Sequence, residues 1–248
     1  MKKRKLNQRI LLGLLLILLS VFVYLLHFAI FRDVHHIMIY FIGDVAFVFI
    51  EVLLVTLIIH QVLGEREKRA MLKKMNMVIG AFFSEVGISL LRYFWAFDTE
   101  AEGFTKHLIV DNEWSEEHFD KMEEILKNRD FEIDISKGDL KGLRSFLIEK
   151  RTFLLRLLEN PNLLEHEEFT ELLWAVFHLA EELSHRERIN NLPEADDAHL
   201  AGDIKRGHSL LVREWLNYME HLKGNYPYLF SLAVRTNPFN PEASVEVK

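Results

Sequence analysis

The sequence predicts an all-α protein in which two transmembrane helices form a hairpin and a cytosolic α-helical bundle follows. Three observations carry that expectation. Residues 10–31 contain no lysine, arginine, aspartate or glutamate, and the ionisable groups of residues 37–63 are only Asp44, Glu51 and His60. Beyond residue 64 the chain becomes charged, and its apolar residues recur at helical spacing. Cysteine is absent from all 248 residues. That removes any disulfide framework and any thiolate metal site, and it agrees with a cytosolic bulk.

At about 1.5 Å per residue the first run spans roughly 33 Å, enough to cross a hydrocarbon core of ~30 Å. The second, 37–63, is longer and crosses with tilt. MKKRK is a basic start like that of a signal peptide. The apolar stretch behind it exceeds the usual signal length and no small-x-small cleavage site follows, so it reads as a retained anchor.

Lys2, Lys3, Arg4, Lys5 and Arg9 precede the first span, and Arg66, Lys68, Arg69, Lys73 and Lys74 follow the second. The connecting loop holds Arg32 alone. This asymmetry predicts an integral plasma (inner) membrane protein with both termini cytoplasmic, its basic flanks touching anionic lipid. Residues 1–64 carry a net +3 and the remainder −10. So acidic a cytosolic part lacks the basic surface that nucleic-acid binding requires.

Residues 65–97 read as a juxtamembrane helix continuing the second span. Gly80, Ser84 and Gly87 leave one of its sides smooth enough for close helix contact. The run 75–97 is apolar enough to raise a third, re-entrant span, but Asn76, Ser84, Glu85 and Arg92 argue against it. A helical bundle is expected over 98–236. Ser115 can cap a helix reaching about Asn128, with Glu116 and Glu117 suited to its first turn. FEIDI (131–135) alternates like a short strand without a matching run elsewhere. Asp139 can cap the next helix, in which Leu140, Leu143, Leu147, Leu154, Leu157 and Leu158 keep a helical period up to Asn160-Pro161. A fourth helix is expected over about 164–188. The linker INNLPEADD then ends in a capping aspartate, and a fifth helix runs over about 198–222, stopped by Gly224. YPYLFSLAV makes a short last helix, and 237–248, with two prolines, reads as a flexible tail.

No phosphate-cradling glycine loop or nucleophile elbow occurs, so no catalytic residue and no cofactor is nominated. The one weak metal candidate is His178, Glu182 and His185, spaced four and three apart on the fourth helix. Glu182-Leu-Ser-His185 has the Glu-x-x-His spacing of carboxylate-bridged di-iron bundles, which need that motif twice plus two more glutamates. A second copy is absent, Asp196-Asp-Ala-His199 being the nearest substitute. A surface lined with His and Glu beside an apolar face is the simpler account.

The remaining signal is the pair of acids in the second span. Seven helical residues turn through about 700°, so Asp44 and Glu51 lie within ~20° of one face and ~10 Å apart along the axis. Tyr40 falls close to that stripe and His36 near its edge. Glu51 sits almost at the midpoint of the run, where a lone carboxylate costs ~2.5 kcal/mol or more. Neither span contains lysine or arginine. The supporting partners available are Ser20, Tyr24 and His27 of the first span, adequate for protonated acids that only pack. Alternatively several copies surround an axis, and the carboxylates form rings that attract cations. The first expectation is therefore a homo-oligomeric cation channel or conduit with a cytosolic assembly or gating domain. The alternative is a membrane-anchored sensor or scaffold for a cytosolic protein or ligand. An enzyme using the His178 cluster is the least favoured of the three.

Overall fold

The computed structural model describes residues 2–163, 166–189 and 192–246, with side chains there outside 2–10 and 65–73. The side chains of the basic flanks, Lys74 excepted, and the expected helix start at Leu164 thus lie outside the described residues. Among those residues the protein is all-helical, and the chain divides into two compact units, Met1–Lys68 and Arg69–Lys248.

The N-terminal unit is a helical hairpin. Helix α1 (Lys2–Phe31) turns through Arg32, whose φ of 50° is the one left-handed residue of the described chain, into helix α2 (Val34–Phe82). Asp33 caps α2 by accepting from the His36 amide at 3.1 Å, satisfying one of the four amides a helix start leaves unpaired. The two helices meet where Tyr24 stands edge-on to Phe41 and His27 stacks on His36. No side chain of the long apolar stretches Leu11–Phe31 and Val34–Gly64 is buried.

Among the described residues, three helical stretches are long and apolar enough to cross a membrane, where the sequence leads one to expect two. The third, Lys74–Phe97, differs from the others in that 44% of its apolar window is buried. Met75, Ile79, Phe82, Phe83, Val86, Leu90, Leu91, Phe94 and Phe97 all enter the core of the C-terminal unit. The stretch is not a single regular helix either. A wide π-turn at Phe83–Gly87 separates the end of α2 from helix α3 (Ile88–Phe97), and it lets the consecutive rings of Phe82 and Phe83 both point inward.

The C-terminal unit is organised on one helix. After the short α4 (Ala101–Thr105) come α5 (Glu116–Asn128), α6 (Leu140–Leu158), α7 (Glu167–His185), α8 (Glu194–Asn225) and α9 (Pro227–Arg235). The 32-residue α8 packs against α3, α5, α7 and α9, while α6 covers α7. Ser115 and His118 form a capping box at α5, and Asp139 caps α6 by accepting from the Gly142 amide at 2.8 Å. FEIDI does find a partner: Ile133 makes an isolated antiparallel bridge to Asp98, with the Asp134 amide donating to the Phe97 carbonyl.

Two expectations need correction. Helix α8 begins at Glu194, directly after Pro193, so Asp197 lies in its first turn instead of capping it. It also runs through Gly224 to Asn225. The segment after 236 is not a free tail at its start. The Asn237 side chain is buried and donates to the Leu108 carbonyl at 2.9 Å, and the Phe239 ring packs on Trp95 and Trp215. Pro238 and Pro241 follow the end of α9 at Arg235, and Phe239 between them stays in the core.

Candidate functional site

In the N-terminal unit, Asp44 and Glu51 are both exposed, as are Tyr40 and His36. Among the described residues, no hydrogen bond or ion pair reaches either carboxylate. The supporting residues of the first span are engaged elsewhere or exposed: Tyr24 faces Phe41, His27 lies between Phe31 and His36, and Ser20 is exposed. His36 packs against Tyr40 with ring centroids 4.8 Å apart. The stripe therefore has two aromatic members in mutual contact and two acids with no partner among the described residues of their own hairpin.

In the C-terminal unit the polar chemistry concentrates where α7 meets α8. His178 and Glu182 lie one turn apart on α7, and His199 and Asp203 lie one turn apart on α8. The Nε2 atom of His178 is 3.5 Å from Asp203 Oδ2 and 4.0 Å from Glu182 Oε1. The Nε2 atom of His199 is 3.4 Å from Asp203 Oδ2 and 3.9 Å from Glu182 Oε2. Donor atoms of His178, Glu182 and His199 all fall within 4.8 Å of one another.

Burial within this cluster is uneven. Both imidazoles are about half exposed, whereas Asp203 is only 5% exposed. Its Oδ2 is buried without a hydrogen-bond partner, and a buried carboxylate oxygen left unsatisfied costs free energy. Glu182 is held on its other side by Arg186, whose Nη1 donates to Oε2 at 2.5 Å. That hydrogen bond, more than the positive charge itself, keeps the Glu182 carboxyl below the usual carboxylate range. Arg186 is in turn clasped by Asp196 at 2.6 and 3.3 Å, so the guanidinium is shared between two acids.

The third residue nominated from sequence, His185, is not brought into this cluster. Its Nδ1 lies 2.8 Å from the Glu181 carbonyl, at the end of α7. The residues that do join, His199 and Asp203, carry a signal that spacing within one helix does not show. His178-Leu-Ala-Glu-Glu182 and His199-Leu-Ala-Gly-Asp203 are two copies of His-Leu-Ala-x-acid. Leu179 and Leu200 are both fully buried, which fixes the same face of each helix toward its neighbour. Beside the cluster, His178 also borders an open groove of about 730 Å³ shared with Trp174, Arg129, Lys205 and Arg206.

Fold and site together define a class: all-helical proteins that join an N-terminal pair of long apolar helices to a separate C-terminal helical domain. The family model described as the MJ1433 N-terminal helical domain matches residues 2–63, and that of the C-terminal helical domain of uncharacterized protein MJ1433 matches 71–235. The chain belongs to this MJ1433 family. It is 48% identical over 236 residues to uncharacterized protein MJ1433 of Methanocaldococcus jannaschii, with 95% of each chain covered. No solved structure matches.

Proposed function

We propose that the chain is a two-span membrane protein that assembles with copies of itself and draws cations to the axis of the assembly through Asp44 and Glu51. The observation that carries this reading is that, among the described residues, neither carboxylate has a hydrogen-bond or ion-pair partner within its own hairpin. A carboxylate at that depth is tolerated when another chain or a water-filled path solvates it, and identical chains usually close into symmetric rings. In this reading the hairpin lies in the plasma (inner) membrane with both termini cytoplasmic, and anionic lipid meets the basic flanks. Lys74–Phe97 then serves as a core helix of the cytosolic domain. Burial of its apolar face supports that placement, since a face committed to a protein core is not free to meet lipid.

Flux measurements in liposomes test the proposal. Asp44→Asn and Glu51→Gln nearly preserve size and hydrogen bonding, so they should keep the assembly and reduce cation flux. Wild-type protein that assembles yet passes no cation would sink it.

A second reading keeps the same anchor but uses the acids only for helix packing. It is favoured by the groove beside His178, where Trp174 is 57% exposed among Arg129, Lys205 and Arg206. The groove also holds Asp130, paired with Lys205 at 2.5 Å, and Glu171, and an exposed aromatic in such a charged cleft suits capture of a cytosolic partner or ligand.

A further inference from the structure

We propose that His178, Glu182, His199 and Asp203 form a binding site for a divalent first-row transition-metal ion of the zinc or ferrous type.

The first support is geometric. Tetrahedral zinc with nitrogen and oxygen ligands has bonds of ~2.0–2.1 Å, which places neighbouring ligand atoms roughly 3.3 Å apart. The four His-to-carboxylate separations are 3.4, 3.5, 3.9 and 4.0 Å. Donor atoms of His178, Glu182 and His199 lie within 4.8 Å of one another, so the half-exposed imidazoles and their helices must draw in by up to roughly 1.5 Å to close a shell around one ion.

The second support is the state of Asp203. Its Oδ2 is buried, has no hydrogen-bond partner, and lies 3.4–3.5 Å from the Nε2 atoms of both histidines. Burying that oxygen without a partner is unfavourable, and a cation bound between it and the two imidazoles removes the cost.

The third is the paired arrangement. Each helix supplies one imidazole and one carboxylate a turn apart, from the same five-residue pattern. Each imidazole lies within 4.0 Å of the carboxylate on its own helix and of the one on the other helix, so the pairs within each helix are joined by crossed ones. A stripe of polar residues meant only for solvent has no need of this crossed pairing across two helices. Arg186 acts from outside by gripping Glu182 Oε2 and leaving Oε1 turned to His178. Two imidazoles with two carboxylates, and no thiolate, suit zinc, iron or manganese better than calcium or magnesium, which take all-oxygen shells. The half-exposed histidines leave an outer side where water or a further ligand completes the coordination.

The test uses the full chain in detergent, stripped of metal by a chelator, with zinc titrated calorimetrically and cobalt(II) titrated by visible absorption. Wild-type protein should bind one ion, with thermal stability rising as zinc saturates the site. His178→Gln and His199→Gln, both at exposed positions, should each weaken zinc by at least the roughly 10–100-fold that losing even an outer-sphere partner costs. Asp203→Asn should do the same, and His185→Gln should leave affinity unchanged. Tryptophan-fluorescence melts without metal report whether each variant folds. Two results would overturn the site: zinc binding no tighter in wild type than in the His178→Gln/His199→Gln double variant, or an equal loss from His185→Gln.

Discussion

The indole of Trp95 stands edge-on to the imidazole of His208, with ring centroids 5.5 Å apart and planes at 88°. Phe131 and Phe94 close two more sides. His208 is fully buried and neither ring nitrogen has a hydrogen-bond partner. Burial, and then the nearby Arg129 charge, push its pKa from 6.5 down to about 3. Six residues further along α8, Glu214 is shifted the other way, from 4.5 to about 8, by burial and then by Glu168.

These two groups predict a stability profile with two limbs. The unfolded chain binds the His208 proton more tightly, so stability should fall on acidification from about pH 6.5 toward 3. The folded chain binds the Glu214 proton more tightly, so stability should fall as pH rises from about 4.5 to 8. Between about 4.5 and 6.5 the slopes oppose and the profile flattens. All four tryptophans lie beyond residue 94, so fluorescence melts report on the C-terminal unit alone. Glu214→Gln should remove the alkaline limb and His208→Leu should make the acid limb shallower. An alkaline limb that survives Glu214→Gln unchanged would refute the assignment.

The segment after α9 should contribute to stability. Phe239→Ala empties a site between Trp95 and Trp215 and should cost about 3–5 kcal/mol. Asn237→Ala strips the Leu108 carbonyl of its donor and should cost about 1–3 kcal/mol. Urea unfolding followed by tryptophan emission measures both. Wild-type midpoints in both variants would mean this segment is a tail after all.

Two glycines make a matched comparison. A Cβ at Gly138 would meet the buried Phe97 ring at 2.5 Å, so Gly138→Ala should lose roughly 1–3 kcal/mol. Gly103, inside α4, has nothing within 4 Å of that position. Gly103→Ala should be neutral or stabilise by up to about 1 kcal/mol. The same unfolding experiment checks both, and equal effects would discount the Phe97 contact.

The stripe can be probed without background because the protein has no cysteine. Tyr40→Cys should crosslink between copies in the membrane, and His60→Cys, on the opposite face of the helix, should not. Equal yields from both would mean that Asp44 and Glu51 do not mark a shared axis.

Much of the helical layout could be read in advance, because it depends on local chemistry. Ser115 and Asp139 cap where hydroxyl and carboxylate residues precede an apolar period, and Leu140, Leu143, Leu147 and Leu154 of α6 are buried at the expected spacing. The start of α8 was harder, since Asp196 and Asp197 compete with Pro193 as boundary signals. Placing it late leaves His199 at a helix end and conceals that Asp203 lies one turn further in. Phe239 was legible to no periodicity argument, because its burial depends on Trp95 and Trp215, distant in sequence. The partner of FEIDI is likewise a single residue at a helix end, too short to register as a strand. As for the His-Leu-Ala repeat, it is plain in the sequence, yet it gains meaning only once α7 and α8 are seen to pair.

The π-turn at Phe83–Gly87 has a consequence for how this chain can tolerate changes in length. A wide turn is equivalent to one residue inserted into an otherwise regular helix, and each residue of an α-helix advances the azimuth by about 100°. Deleting the exposed Ser84 would let α2 and α3 fuse into one uniform coil, at the cost of having only one of Phe82 and Phe83 face inward. Elsewhere in these helices a deletion would simply misalign everything downstream. Here the misalignment is already built in, so natural gain or loss of a single codon should cluster at this turn rather than on either side of it.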